Sequence, residues 1–495
     1  VNIASNAVLA FNRSNSLSLT TAISGAGGVT QNGSGSLTFS GTNPISYSGP
    51  TVVNQGNLVI STYSGPLGIT TYRPPQGKII INTNATLSFG GLNYYNQLGA
   101  NTGSFTNPIT PVELNGGTID SSGTVTTFTN LVVNGGTLKS TGGFGATWGS
   151  FVLLGTLQVN ADATFLNVSG SYNAISAGYW LGNQTLTINT SNGATLTNQL
   201  PFQDYDGTHT YSLVKTGSGK LILSATNTYT GTTTVNAGML TVEATGRVTA
   251  SAITVNSGGN LKVDGAVTNT GSVSVAGGGQ LEGRGTISSL TVSSNGIVKI
   301  TNAPAVLSNS WSTAGTITFS NGSRIDVSGA GVMNGGSAYY LIRGTSVTGT
   351  PTLVGATGLS VTNSNNTIML IPTLDTDGDG LTDYLELTQY LSDPAKADTD
   401  GDGLNDSQEV SLGSNPSLVD TDGDGLSDAA EVAAGTSPLS FIVGSNGANS
   451  NNATVFAGTS DLIKVGTNEV SLSGTNTYSG GTKISAGVLK IGNNG

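Results

Sequence analysis

Apolar and polar residues alternate in short runs along most of this chain. Leu221 and Leu223, then Val235, then Leu240 and Val242 are separated by polar positions. A period of two predicts strands with one buried face. Asn227, Gly231 and Gly238 fall between these runs. They predict tight corners that tolerate a left-handed backbone.

The alternation is organised in repeats. A block of about 27 residues occurs three times, and blocks of this length point to a repeat architecture. Gly217 to Val242 reads GSGKLILSATNTYTGTTTVNAGMLTV and Gly466 to Ile491 reads GTNEVSLSGTNTYSGGTKISAGVLKI. Gly35 to Ile60 carries the same core with two extra residues around Pro44 and Ile45. Shorter repeats fill the gaps. Leu114 to Ile119 returns as Val133 to Leu138, 19 positions later. Val255 to Leu261 returns after 20 positions as Val275 to Leu281, and again after 17 as Val292 to Val298. A period of this size is too short for a separate domain. It suits one coil of a parallel β-helix, which buries its apolar face by stacking on the next coil. The expected fold is all-β: right-handed parallel β-helix regions, stacked at about 4.8 Å per coil, interrupted by a small module with short helical turns. A β-sandwich, or a stack of short ones, is the competing all-β arrangement, with Asn-Gly-Gly as hairpin turns.

Composition agrees with a thin core spread along the chain. The 495 residues include 73 Gly and only 9% charged residues, with 36% hydrophobic. Disorder normally combines low hydrophobicity with high charge, and this chain has little charge. There is no Cys and His209 is the single histidine. Thiol chemistry, disulfides, zinc sites built on Cys or several His, and triads that need a further His are thereby excluded. No run of about 18 apolar residues offers a membrane-spanning helix. The chain starts at Val1 and stops at Gly495 inside a repeat, which reads as a piece of something longer.

The net charge of −11 is unevenly placed. Between Asp375 and Pro438 stand 13 Asp, 3 Glu and one Lys, a local charge of −15, and the remainder carries +4. No Lys/Arg cluster is available to track phosphates, so nucleic acid is not an expected partner. Within the acidic block, Asp375, Asp377, Asp379, Leu381, Asp383 and Glu386 occupy positions 1, 3, 5, 7, 9 and 12 of a twelve-residue calcium loop, with Gly380 at position 6. A second copy uses Asp398, Asp400, Asp402, Leu404, Asp406 and Glu409, and a third Asp420, Asp422, Asp424, Leu426, Asp428 and Glu431. The spacings are 23 and 22 residues. Calcium takes six to eight oxygens, and alternate aspartates around a tight turn converge on one point. Gly at position 6 permits the reversal, position 7 gives its backbone carbonyl, and the glutamate closes the shell with both oxygens. About three Ca²⁺ ions are expected, more if neighbouring loops share them. Sixteen carboxylates in so short a stretch repel one another, so the block is expected to be loose without calcium and ordered with it.

The units Gly217 to Val242 and Gly466 to Ile491, and less closely Gly35 to Ile60, resemble the autotransporter-associated β-strand repeat of large bacterial passenger proteins. That resemblance implies export, a β-helical passenger and display on the outer-membrane surface of a Gram-negative bacterium. The C-terminal membrane barrel of such proteins is not in this sequence. The acidic block differs from an EF-hand, because Ile371-Pro372-Thr373-Leu374 cannot form the entering helix. Only exiting turns such as Tyr384 to Leu391 look helical. With Gly413 to Pro416 and Gly435 to Pro438 after the second and third loops, it resembles bacterial thrombospondin type 3 calcium repeats, which implies a rigid extracellular spacer. Boundaries are expected near Pro372 and Pro438, giving a β-helical region at 1–372, the calcium module at 373–438 and a second β-helical region from 439 to 495.

The resulting expectation is an exported, non-enzymatic structural or adhesin-like protein of the cell surface or matrix, whose partners beyond calcium are surface glycans or other copies of itself. The alternative is a β-helical enzyme acting on extracellular polysaccharide. Asp204, Asp206 and His209 could form an acid/base group for it, or a polar corner before a repeat, since Asp206-Gly207 is a turn signal. Tyr94, Tyr95, Trp148, Tyr179, Trp180 and Trp311 could stack on sugars or plug the core.

Overall fold

The computed structural model describes residues 1–40, 45–61, 77–90, 110–122, 126–141, 151–168, 174–176, 183–204, 209–301, 311–313, 315–330, 338–443, 450–452 and 456–492. The chain divides into two compact units, one built mainly on residues 1–369 and the other on 370–495.

The first unit is a parallel β-helix, and one stretch shows how the sequence builds it. Strands β1 (Tyr211–Thr216) and β2 (Lys220–Leu223) form one coil, β3 (Thr233–Val235) and β4 (Gly238–Val242) the next, and β5 (Ile253–Val255) and β6 (Gly259–Val263) the one after. Strand β1 pairs in parallel with β3 and β3 with β5, while β2 pairs with β4 and β4 with β6. Hairpins would give antiparallel pairs of sequence neighbours, so these pairings replace the sandwich with a solenoid. The sequence offsets are the structural register: Leu114 sits beside Val133 and Ile119 beside Leu138, and Leu281 lies between Leu261 and Val298. Aliphatic side chains therefore stack on aliphatic side chains, coil on coil. Leu221, Leu223, Val235, Leu240 and Val242 are all fully buried. At ~25 cal/mol per Å² of apolar surface removed from water, this continuous core is the main stabilising term.

The corners carry polar side chains that satisfy buried backbone. Asn227 is fully buried; its amide donates to the carbonyls of Ala225 (2.8 Å) and Arg247 (3.0 Å), and its oxygen accepts from Phe202 N (2.9 Å). The expectation that Asn227 and Gly231 need a left-handed backbone is corrected, since neither has positive φ while Gly238 does, at +64°. Gly231 is required by space: a Cβ there would lie 2.4 Å from Tyr211 O. Tyr229 is also fully buried, with its hydroxyl 2.5 Å from Thr233 Oγ1; Tyr47 pairs likewise with Thr51, and Tyr478 with Thr482 at 2.7 Å. A fully buried asparagine bonding three coils by these contacts makes Asn227→Ala costly, by about 1–3 kcal/mol for each group left unpaired. The measurable result is a lower urea midpoint for the first unit at unchanged slope.

A row of exposed and half-buried asparagines links successive coils. Asn54 donates to Asn32 (2.7 Å), Asn82 to Asn54 (2.6 Å), Asn115 to Asn82 (3.2 Å), Asn134 to Asn115 (2.8 Å) and Asn160 to Asn134 (2.8 Å). Stacked amides of this kind reinforce in-register parallel strands.

In the second unit, residues 375–438 contain three short helical segments. The first is α1 (Asp383–Leu385) continued by a π turn over Glu386–Tyr390, and the others are α2 (Asp406–Leu412) and α3 (Asp428–Ala434). No helix enters the first loop. After them, β7 (Phe441–Val443), β8 (Leu462–Lys464) and β9 (Thr482–Ile484) stack in parallel, resuming the coil pattern. Phe441, Val443, Phe456, Leu462, Val470 and Leu472 form their core. Among the described residues no helix is long and apolar enough to cross a membrane.

Candidate metal centre

Each acidic loop folds by the same local rules. The residues at positions 4 and 6 are glycines with left-handed backbone: Gly378 and Gly380 (φ +79° and +103°), Gly401 and Gly403 (+81° and +110°), Gly423 and Gly425 (+81° and +96°). Most have open space where a Cβ would stand, so the requirement is conformational. The position 1 aspartate then receives two backbone amides. Asp375 accepts from Gly378 N (2.8 Å) and Gly380 N (3.2 Å), Asp398 from Gly401 N (2.7 Å) and Gly403 N (3.1 Å), and Asp420 from Gly423 N and Gly425 N (both 2.7 Å). Position 5 accepts from the amide of position 7, as Asp379 does from Leu381 at 2.7 Å. The loop is thereby wound so that its carboxylates turn inward.

The structure brings together positions 1, 3 and 5 of every loop. Ligand atoms of Asp375, Asp377 and Asp379 lie within 4.8 Å of one another, as do those of Asp398, Asp400 and Asp402 and of Asp420, Asp422 and Asp424. Glu386, Glu409 and Glu431 at position 12 are 0% exposed. Among the buried side-chain atoms without a hydrogen-bond partner are both oxygens of all three glutamates and the Oδ2 atoms of Asp377, Asp400 and Asp422. A buried carboxylate oxygen with nothing to accept from costs several kcal/mol. Three sets of them at equivalent places amount to a ready donor set for a hard divalent cation, and the residues fit calcium.

Position 9 behaves differently. Asp383 accepts from Thr376 N (2.8 Å) and Thr376 Oγ1 (2.7 Å), Asp406 likewise from Thr399 and Asp428 from Thr421. Both oxygens of these aspartates hold the threonine at position 2, which clamps the two ends of the loop. The position 2 threonine is a signal the calcium-loop pattern alone does not contain. At position 7, Leu381 is buried, whereas Leu404 and Leu426 are half-buried.

Charge crowding shows in the acidities. Burial first, and the neighbouring aspartates second, push the Glu386 carboxyl up to about 7, Glu409 to about 8 and Glu431 to about 9; Asp422 rises to about 7 for the same reasons. A carboxyl with a raised folded pKa contributes stability that is complete below its ordinary value and is lost as pH climbs through the folded one. The metal-free module is therefore expected to weaken steadily between about pH 4.5 and pH 9. Calcium must displace the same protons. Calorimetry at pH 7 in buffers of different ionisation enthalpy is expected to show proton release on calcium binding, with affinity rising toward pH 9.

The other candidates fall elsewhere. Asp204 accepts from Tyr211 N (2.8 Å) and, from the next coil, Thr230 N (2.9 Å) and Thr230 Oγ1, the geometry of a corner clamp. His209 is half-buried, and Asp206 lies outside the described residues. So do Tyr94, Tyr95, Trp148, Tyr179, Trp180 and the side chain of Trp311.

The repeat delimited at Gly217 leaves out a buried polar position two residues before it. Lys215 is fully buried at the end of β1 and donates to the carbonyls of Thr216 (2.7 Å), Gly217 (2.8 Å) and Ala237 (3.1 Å). Lys464 holds Val465, Gly466 and Ala486 in the same way, and Gln31 holds Gly33 and Gly35. Alternation would have flagged it, since Tyr211, Leu213 and Lys215 share the inward face.

Comparison with known proteins agrees with this anatomy. Residues 29–60, 213–242 and 462–491 match the passenger-associated-transport-repeat, and residues 375–397, 398–418 and 420–440 match the bacterial TSP3 repeat. The matched passenger-type blocks begin early enough to include Gln31, Lys215 and Lys464. No curated protein matches the sequence. A solved TibC-catalysed hyper-glycosylated TibA fragment aligns with 70% of this chain and 100% of its own at 12% identity, with a TM-score of 0.21. The chain carries passenger-type repeats before and after a block of three bacterial TSP3 repeats, a calcium-binding repeat family.

Proposed function

We propose that this is an exported, non-enzymatic structural or adhesin-like protein of a Gram-negative cell surface or matrix, in which calcium stiffens a spacer between two β-helical regions. The regions are 1–372 and 439–495, with the spacer at 373–438. One observation carries the proposal: equivalent buried carboxylate oxygens lack partners in all three loops, and each loop matches a repeat family that binds calcium. Asp375, Asp377, Asp379 and Glu386 would hold the first ion, with the Leu381 carbonyl. Asp398, Asp400, Asp402, Glu409 and Leu404 serve the second loop, and Asp420, Asp422, Asp424, Glu431 and Leu426 the third. Asp383, Asp406 and Asp428 shape the loops through their threonines. About three ions per chain follow from one per loop. Passenger-type repeats support export and surface display. Glycans or further copies of the chain are the partners to test.

The experiment displays the full chain on cells and measures aggregation and glycan-array binding in calcium and in chelator. Calcium-dependent adhesion supports the proposal. Glycan cleavage that disappears in an Asp204/Asp206/His209 triple alanine variant would replace it with an enzyme.

A further inference from the structure

Position 5 of each loop makes a second contact, outside its own loop. Asp379 Oδ2 accepts from Ser407 N (2.9 Å), and the Asp379 carbonyl accepts from Ser407 Oγ (2.6 Å). One repeat later, Asp402 Oδ2 accepts from Ala429 N (2.8 Å). Ser407 and Ala429 are the second residues of α2 and α3, so each aspartate satisfies an amide that the helix itself leaves free. At the third loop no fourth helix follows. There Asp424 Oδ2 accepts from Ile442 N, in the middle of β7. Its Oδ1 meanwhile accepts from Leu426 N at 2.8 Å.

These aspartates also belong to the acidic triads. A carboxylate has about four lone-pair sites, so two hydrogen bonds leave capacity for an ion. Each loop also carries a fully buried glutamate with two unpartnered oxygens, which feels the charge of aspartates in its triad. An ion drawing on both glutamate and triad fixes the position 5 carboxylate, and that carboxylate in turn fixes a backbone amide in the following unit. Without the ion, the three like charges repel one another, and the amide is expected to lose a rigid acceptor.

We propose that the position 5 aspartates form a directional relay: the ion in each loop orders the unit C-terminal to it, and the third ion, through Asp424, orders strand β7 and the start of the C-terminal β-helical region. This rests on the calcium reading above. It goes further in making the β-helical region that begins at Phe441 respond to calcium, although none of its residues belongs to a loop.

Hydrogen exchange on the full chain tests it, alongside calorimetric calcium titration of the same sample. Chelation is expected to lower protection of the Phe441–Val443 amides by about tenfold or more, equivalent to about 1.4 kcal/mol of local opening free energy. Glu431→Gln, which removes neither Asp424 nor its partner amide at Ile442, is expected to do the same at a calcium concentration that saturates the wild type. Glu386→Gln is expected to deprotect Ser407 and its neighbours instead, so that the effect moves with the emptied loop. Deprotection confined to the mutated loop's own residues, with calcium still binding, overturns the relay alone. Absence of calcium uptake by the wild-type chain overturns the relay together with the metal reading beneath it.

Discussion

Replacing Glu386, Glu409 and Glu431 together by Gln is expected to remove most of the calcium-induced stabilisation and, in chelator, to make the protein more stable than wild type. The two halves of this result have one cause. All three glutamates are fully buried and neither oxygen of any of them has a partner. In chelator each is an uncompensated buried acid that must either stay charged or hold a proton at neutral pH. The neutral amide removes that penalty, by about 1–3 kcal/mol per site. In calcium the wild type gains about 2.7 kcal/mol per site at a hundredfold over Kd. The variant loses the closing ligand, and with it at least the ~10–100-fold in affinity that even an outer partner contributes. Thermal melts of both proteins, with and without calcium, are therefore expected to cross. Parallel loss of stability in both conditions would mean that the glutamates act as ordinary structural residues.

The second large effect lies away from the metal. Lys215→Met is expected to destabilise the first unit by about 1.5–3 kcal/mol, the scale of a hydrogen bond made by a charged group to neutral partners that are then left behind. Three carbonyls, of Thr216, Gly217 and Ala237, lose a side-chain donor at a corner where two coils meet. Lys215→Gln is expected to cost far less, because the first repeat already uses Gln31 at this position to reach Gly33 and Gly35. Urea denaturation of the two variants separates them. Equal loss would show that the long alkyl stem, rather than the donor, is what the corner needs.

Much of the fold was legible in the residues because a solenoid writes its register into its repeats. The offset from Val255 to Val275, and then to Val292, is also the offset at which these residues lie side by side. Strand alternation likewise placed Leu221, Leu240 and Leu261 in one buried column. The calcium loops were legible because a metal shell demands fixed residue types at fixed spacing. What escaped was hydrogen bonding across coils and across loops. Asn227 looked like a turn residue by type, yet its role depends on Phe202 and Arg247, far away in sequence. Lys215 stands just before the repeat delimited at Gly217, and its burial depends on the stacking of the next coil. The aspartates at positions 5 and 9 fit a ligand pattern by spacing. Their contacts to Ser407, Ala429, Ile442 and the position 2 threonines arise only when the loops stack and close.

The central claim is that divalent ions hold residues 375–438 in shape. Calorimetric titration of the full chain with calcium chloride, with circular dichroism recorded on the same sample before and after chelation, tests it most directly. The account predicts saturable uptake of about three ions per chain at up to millimolar calcium, and loss of the short helices α1, α2 and α3 when chelator is added. A chain that takes up no calcium at millimolar concentration, or whose spectrum is identical in chelator, contradicts it.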